Sequence, residues 1–211
     1  MTLNRRNMMT GLFLFPALSK AGTIFDTLQT EYSTPKALRL ISAARQQIGV
    51  TTLYDPAYVR LDYPNGDVPE DRGVCIDVII RAYRTAFGFD FQKAIHEDMA
   101  ANFASYPSIW GLSRPDKNID HRRVPNVATW LVREGHDLPL SGWQAGDLMT
   151  CHLPGNLPHI IIVSEDAPNS AIMLKGIHNI GNGAREEKLL LTGLKAIRRF
   201  RFLPDTPSQP M

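Results

Sequence analysis

An excess of charge of either sign is what this 211-residue sequence most lacks: 23 Lys and Arg stand against 21 Asp and Glu, a formal net charge of +2. A balance so even supplies no long-range field for a polyanion, so neither nucleic acid nor an anionic membrane surface is expected as a partner. The short basic runs, Arg122-Arg123 and Arg198-Arg199 with Arg201, read first as solvated faces. Cysteine is scarce, with two in the chain. One of them precedes His152, and a single Cys-His pair lacks the spacing of a structural zinc site, so no metal is expected and nothing demands a cofactor. Beyond the first two dozen residues no apolar run approaches the roughly 20 residues of a membrane helix. Internal repeats and low-complexity segments are also missing, and with 44% hydrophobic residues the chain has enough for one core.

The N-terminus differs from the rest. Arg5-Arg6 precedes a mostly apolar run from Met8 to Leu18 and the small residues around Ala21. A cationic start, an apolar stretch too short to span a bilayer and a small-residue site form an export signal, which predicts residues 1–21 as a signal peptide and a periplasmic mature protein. The paired arginines leave both the general secretory and the twin-arginine routes open. A buried N-terminal helix is the competing reading, disfavoured by Gly11 and Pro16. Residues 22–204 are then expected as one domain and 205–211, with two prolines, as a loose tail.

Leu38, Ile41, Ala44 and Ile48 recur at helical spacing and predict a helix from about Thr34 to Ile48, closed by Gly49. The turn-rich stretch from Val50 to Arg72 predicts an ordered loop region. A second helix opens at Gly73-Val74-Cys75 and stops at Gly88, and a third runs from Val124 to Glu134 before Gly135. Beyond Gly142 short apolar runs predict strands at Asp147–Leu153, His159–Ser164, Ala171–Asn179 and Ala196–Leu203. In the last strand Phe200 and Phe202 share one face, Arg199 and Arg201 the other. Helices followed by a sheet give an α+β fold.

A thiol attacks a carbonyl carbon as thiolate, and Cys75 in the first turn of a helix sits at the positive end of its dipole, which predicts a lowered pKa. His159 heads a strand and is the natural base. The next strand ends in His178-Asn179, either of which suits the third polar group that holds the imidazole in place, His178 first. A Cys75–Cys151 disulfide is the main competing reading, since it would remove the nucleophile. Asp120-His121-Arg122-Arg123 reads equally as a carboxylate-recognising patch and as internal ion pairing, and His96-Glu97-Asp98 reads as a loop brace.

The run Tyr63-Pro64-Asn65-Gly66-Asp67-Val68-Pro69 ahead of Gly73-Val74-Cys75-Ile76-Asp77 resembles a bacterial family catalogued as domain of unknown function 1287. Asn118 to Asn126, Leu157-Pro158-His159-Ile160 and His178-Asn179-Ile180-Gly181 carry the same likeness. That family looks like a branch of the NlpC-type papain-like superfamily, many of whose members cut peptide or amide bonds in peptidoglycan. The resemblance implies a papain-like α+β fold with Cys75, His159 and His178 as the catalytic trio. It also implies Tyr63 near the oxyanion site. Val74-Cys75-Ile76-Asp77 departs from the Asp-Cys-Ser-Gly of that superfamily. The expected function is a periplasmic cysteine hydrolase acting on peptidoglycan stem peptides through a thioester, with Arg122, Arg123 and Asn179 as further substrate or oxyanion contacts. A catalytically silent envelope-binding module of the same fold is the alternative.

Overall fold

The computed structural model describes residues 34–167 and 172–205, so the expected signal peptide and all but the first residue of the expected tail lie outside the described residues. The first helix, α1 (Pro35–Arg45), starts where Thr34 accepts a hydrogen bond from the Ala37 amide at 3.2 Å and Pro35 fills the first turn. It ends three residues before the expected Ile48. Its buried face is Ala37, Leu40, Ile41, Ala43 and Ala44, whereas Leu38 and Ile48 are exposed. Small alanines win that face because the neighbour comes close: a Cβ on Gly146, whose φ is +87°, would lie 2.9 Å from the Ala37 Cβ.

Two short parallel strands follow, β1 (Leu53–Tyr54) and β2 (Arg72–Gly73), and then the central helix α2 (Cys75–Phe87), stopped by Gly88 in the left-handed conformation. Nearly every residue of α2 is buried, as expected for a helix apolar on most of its circumference. Its Tyr83 hydroxyl donates to the Phe202 carbonyl at 2.7 Å, so the buried phenol is satisfied. The helix α3 (Phe91–Asn102), capped by Asp90, was not anticipated. Phe91, Ile95 and Met99 give it an apolar stripe only one residue wide. Next comes α4 (Val124–Arg133), at the expected place.

The remaining strands are β3 (Asp137–Leu138), β4 (Leu148–Leu153), β5 (Leu157–Val163), β6 (Met173–Asn179), β7 (Ala184–Leu190) and β8 (Lys195–Phe200). They form one antiparallel sheet in the order β3-β8-β4-β5-β6-β7. Leu148, Ile160, Ile162, Ile177 and Phe200 join the core shared with the helices. Met149, Cys151, Ile161, Val163, Leu174 and Leu189 pack with Trp143 in a second, smaller cluster. Alternation along each strand thus feeds two apolar layers. The paired faces expected for the last strand are present: Phe200 and Phe202 lie in the main core, while Arg199 and Arg201 both reach Asp147. Helices against an antiparallel sheet make the fold α+β. Among the described residues no helix is long and apolar enough to cross a membrane.

Candidate functional site

Cys75 opens α2. Gly73 just before it has φ +154°, and a Cβ there would strike the Asp77 side chain at 2.9 Å, so only glycine lets that carboxylate fold back. Asp77 Oδ2 accepts from the Val74 amide at 2.6 Å and caps the helix. Arg122 grips the same carboxylate with two bonds of 2.9 Å, and donates further to the carbonyls of Ala57 and Asp55. Both partners are buried. Arg122 therefore braces the start of the Cys75 helix against the loop at Asp55–Ala57 through four hydrogen bonds. Of the two roles read from the sequence the internal ion pair is present, and Arg122 also forms part of the wall of the cavity at Cys75.

From the sheet side Asn179, at the end of β6, donates to the Gly73 carbonyl at 2.9 Å and accepts from the Gly181 amide. It ties the strand to the Cys75 turn rather than to the imidazole or the cavity. His178 takes the imidazole role. His159 Nε2 lies 2.8 Å from His178 Nδ1, and His178 Nε2 lies 2.9 Å from Glu187 Oε1 on β7. An ionised carboxylate only accepts, so His178 carries its proton on Nε2 and offers Nδ1 as acceptor. His159 then donates from Nε2, leaving Nδ1 as a free base. Glu187 thus sets the tautomer of both rings.

Burial is the dominant influence on these groups. It pushes the Cys75 thiol up to about 12, although the Ile160 and Ile76 amides pull the other way. It pulls His159 down to about 3, helped by the His178 ring, and lowers His178 as well, against the pull of Glu187. The lowered thiol pKa expected from the helix dipole is overridden because Cys75 is only 3% exposed. At rest the pair is a neutral thiol and a neutral imidazole. The Ile160 amide that influences the sulfur belongs to the residue after His159 on β5. No hydrogen bond joins Cys75 to His159 among the described residues. Cys75 and Cys151 are both free thiols in this structure.

A cavity of about 200 Å³ opens onto Cys75, with Tyr54, Val74, Trp110, Arg123 and Pro158 in its wall. The tyrosine in it is Tyr54, not Tyr63. Tyr63 packs edge-on against His96 at 5.3 Å on the α3 side, away from the cavity lining. Arg123 lies over the Trp110 ring at 4.2 Å. A second cavity of about 510 Å³, lined by Ala128, Thr150, Cys151 and His152, shares Val124, Pro125 and Pro158 with the first. The brace expected at His96-Glu97-Asp98 resides in Asp98, which accepts from Arg133, Tyr106 and Asn102. Among the described residues no cluster of three or more His, Cys, Asp or Glu could hold a metal ion.

Residues 41–202 match the profile of the family described as domain of unknown function DUF1287. The chain belongs to the DUF1287 family. A relative from Escherichia coli (strain K12), described as "Uncharacterized protein YijF", is 54% identical over 157 residues, covering 72% of this chain and 76% of the relative. No solved structure matches the chain. The DUF1287 match contains every candidate residue discussed above, from Tyr54 to Glu187.

Two of the site residues escaped sequence reasoning. Glu187 sits in the polar run Arg185-Glu186-Glu187-Lys188, which carries no strand signal. Tyr54 competes with Tyr58 and Tyr63 in one irregular stretch, where spacing does not rank them.

Proposed function

We propose that this DUF1287 protein is an exported, papain-like cysteine hydrolase that cleaves an amide or peptide bond in peptidoglycan stem peptides. The observation that carries this reading is the Glu187–His178–His159 relay, which leaves His159 Nδ1 unprotonated on β5, the strand whose Ile160 amide influences the thiol. A carboxylate that fixes the tautomers of a buried histidine pair leaves one ring nitrogen basic, as a general base requires. The antiparallel sheet and the Cys, His, His order support the fold assignment.

In the reaction, substrate entering the cavity brings Sγ and Nδ1 within hydrogen-bond reach, as catalytic bonds often tighten only on binding. His159 takes the thiol proton, and the thiolate attacks the carbonyl carbon to give a tetrahedral oxyanion. The Cys75 amide is the first-turn donor available to receive that oxyanion, because the Val74 amide is capped by Asp77 and that of Asp77 turns to the Val74 carbonyl. Collapse breaks the C–N bond, and the leaving amine takes the proton from His159. Water, deprotonated by His159, then hydrolyses the thioester and restores the thiol.

Digestion of purified sacculi, with muropeptides separated and weighed by mass spectrometry, tests the proposal. New cleavage products from the native protein, lost in Cys75→Ala and His159→Ala, are expected. A second reading draws on the deep burial of Cys75 and its missing bond to His159: a binding module that keeps the fold without the chemistry. It predicts saturable binding to cell-wall fragments, equal in the native protein and Cys75→Ala, with no new product from either.

A further inference from the structure

Consecutive arginines meet opposite fates in this fold. Arg122 is paired with Asp77 and donates to two carbonyls. Arg123, its neighbour, has no ion pair among the described residues, although it is partly buried and its Nη1 is buried without a hydrogen-bond partner. Asp116 and Asp120 act on its charge from a distance without bonding to it: Asp116 accepts from Tyr58 and Asn118, and Asp120 accepts from the Asp116 amide through Oδ2. Its guanidinium is held flat by the Trp110 ring and forms part of the wall of the cavity that reaches Cys75. Other buried or half-buried arginines, such as Arg81, Arg84 and Arg199, are answered by aspartate.

A partly dehydrated guanidinium whose buried Nη1 has no acceptor is costly, and is most simply explained when the acceptor arrives with the ligand. We propose that the Cys75 cavity is a carboxylate-binding pocket, in which Arg123 receives the anion and Trp110 forms the wall beside it. A planar, forked donor fits a carboxylate bidentately; the other arginine in the wall, Arg122, is already neutralised by Asp77, so the one uncompensated positive charge suits a monoanion rather than a phosphate dianion. The volume of about 200 Å³ leaves room for a single amino-acid residue, so the carboxylate belongs to the residue next to the scissile carbonyl. The inference rests on the hydrolase reading for its meaning: the substrate is a peptide or amide with a free carboxylate close to the bond that is cut.

Two measurements test it separately from catalysis. The first compares alkylation of Cys75 by iodoacetate and by iodoacetamide, with the rate ratio normalised to that of free cysteine. The ratio should favour the anionic reagent in the native protein, fall roughly tenfold or more in Arg123→Gln, and recover in part in Arg123→Lys. The second follows the Trp110 indole and Arg123 Nε–H resonances of Cys75→Ala during titration with N-acetylglycine, N-acetylglycinamide and inorganic phosphate. Saturable shifts with the carboxylate alone are expected. Charge-blind alkylation that still depends on His159 would overturn the pocket and leave the hydrolase standing. Carboxylate-specific shifts with an inert Cys75 in the native protein would keep the pocket and sink the hydrolase. Equal response to phosphate or to the amide would overturn the assignment to a carboxylate.

Discussion

Asp77 and Asp147 are both buried carboxylates answered by arginine, yet the company each keeps is different. Asp147, at the start of β4, receives Arg199 at 2.6 Å and Arg201 at 2.6 and 2.8 Å, plus the Gln144 amide at 2.8 Å. Arg199 also reaches the Ser141 carbonyl, so the cluster pins the β3–β4 connection to β8. Asp77 instead serves the Cys75 turn: one oxygen caps the helix that begins with Cys75, and both are held by Arg122, which forms part of the cavity wall. The same pairing of charges serves the sheet in one place and the aim of a side chain in the other. Buried pairs add little net stability over apolar groups but become very costly when one partner is removed. The two clusters should therefore be alike in stability measurements and unlike in reactivity.

The largest effect is expected from Asp147→Ala, which strands two guanidinium groups, Arg199 being buried and Arg201 partly so. A loss of about 3–5 kcal/mol in urea unfolding is expected. Arg122→Ala should cost about 3 kcal/mol by the same measurement and, in addition, change the rate at which Cys75 is alkylated under conditions where both variants are folded. Equal alkylation rates in the two variants would erase the distinction between the clusters.

Titration separates the imidazoles from both clusters. The pKa of His159 is lowered to about 3 and that of His121 to about 4, each mainly by burial, so between those values and about 6.5 the unfolded chain binds more protons than the folded one. Stability must then fall as pH drops from about 6.5 toward 4. The opposite limb belongs to the thiols. Burial raises Cys75 to about 12 and Cys151 to about 11, so stability should also fall as pH rises above about 9. Urea midpoints across both ranges, with His159→Gln flattening the acid side, check the assignment. The smallest stability change is expected from Glu187→Ala, within about 0.5 kcal/mol because the carboxylate is exposed to water. Its effect should appear instead in the pH profile of Cys75 alkylation. An unchanged profile would remove Glu187 from the relay.

Much of the sheet and the order of the candidate residues were legible in the sequence because they rest on local signals. Gly88 and Gly135 stop helices, apolar runs mark β4, β5 and β6, and two phenylalanines alternate with arginines in and just beyond β8. What was not legible depends on long-range partners. Leu38 has the right spacing for a buried face, but the approach of Gly146 selects Ala37 instead. The edge strand β7 is polar because it faces water, and its Glu187 matters only once β6 lies beside it. Arg122 and Arg123 are identical as letters, and only the position of Asp77 separates a brace from a free cation. The dipole argument for Cys75 was sound locally and was outweighed by the depth at which the helix start is packed.

That depth has a consequence for survival as well as for rate. Peroxides and small disulfides react with sulfur through the thiolate and need access to it. A thiol that is protonated and 3% exposed offers neither, so Cys75 should outlast oxidising surroundings that would consume a permanently ionised nucleophile.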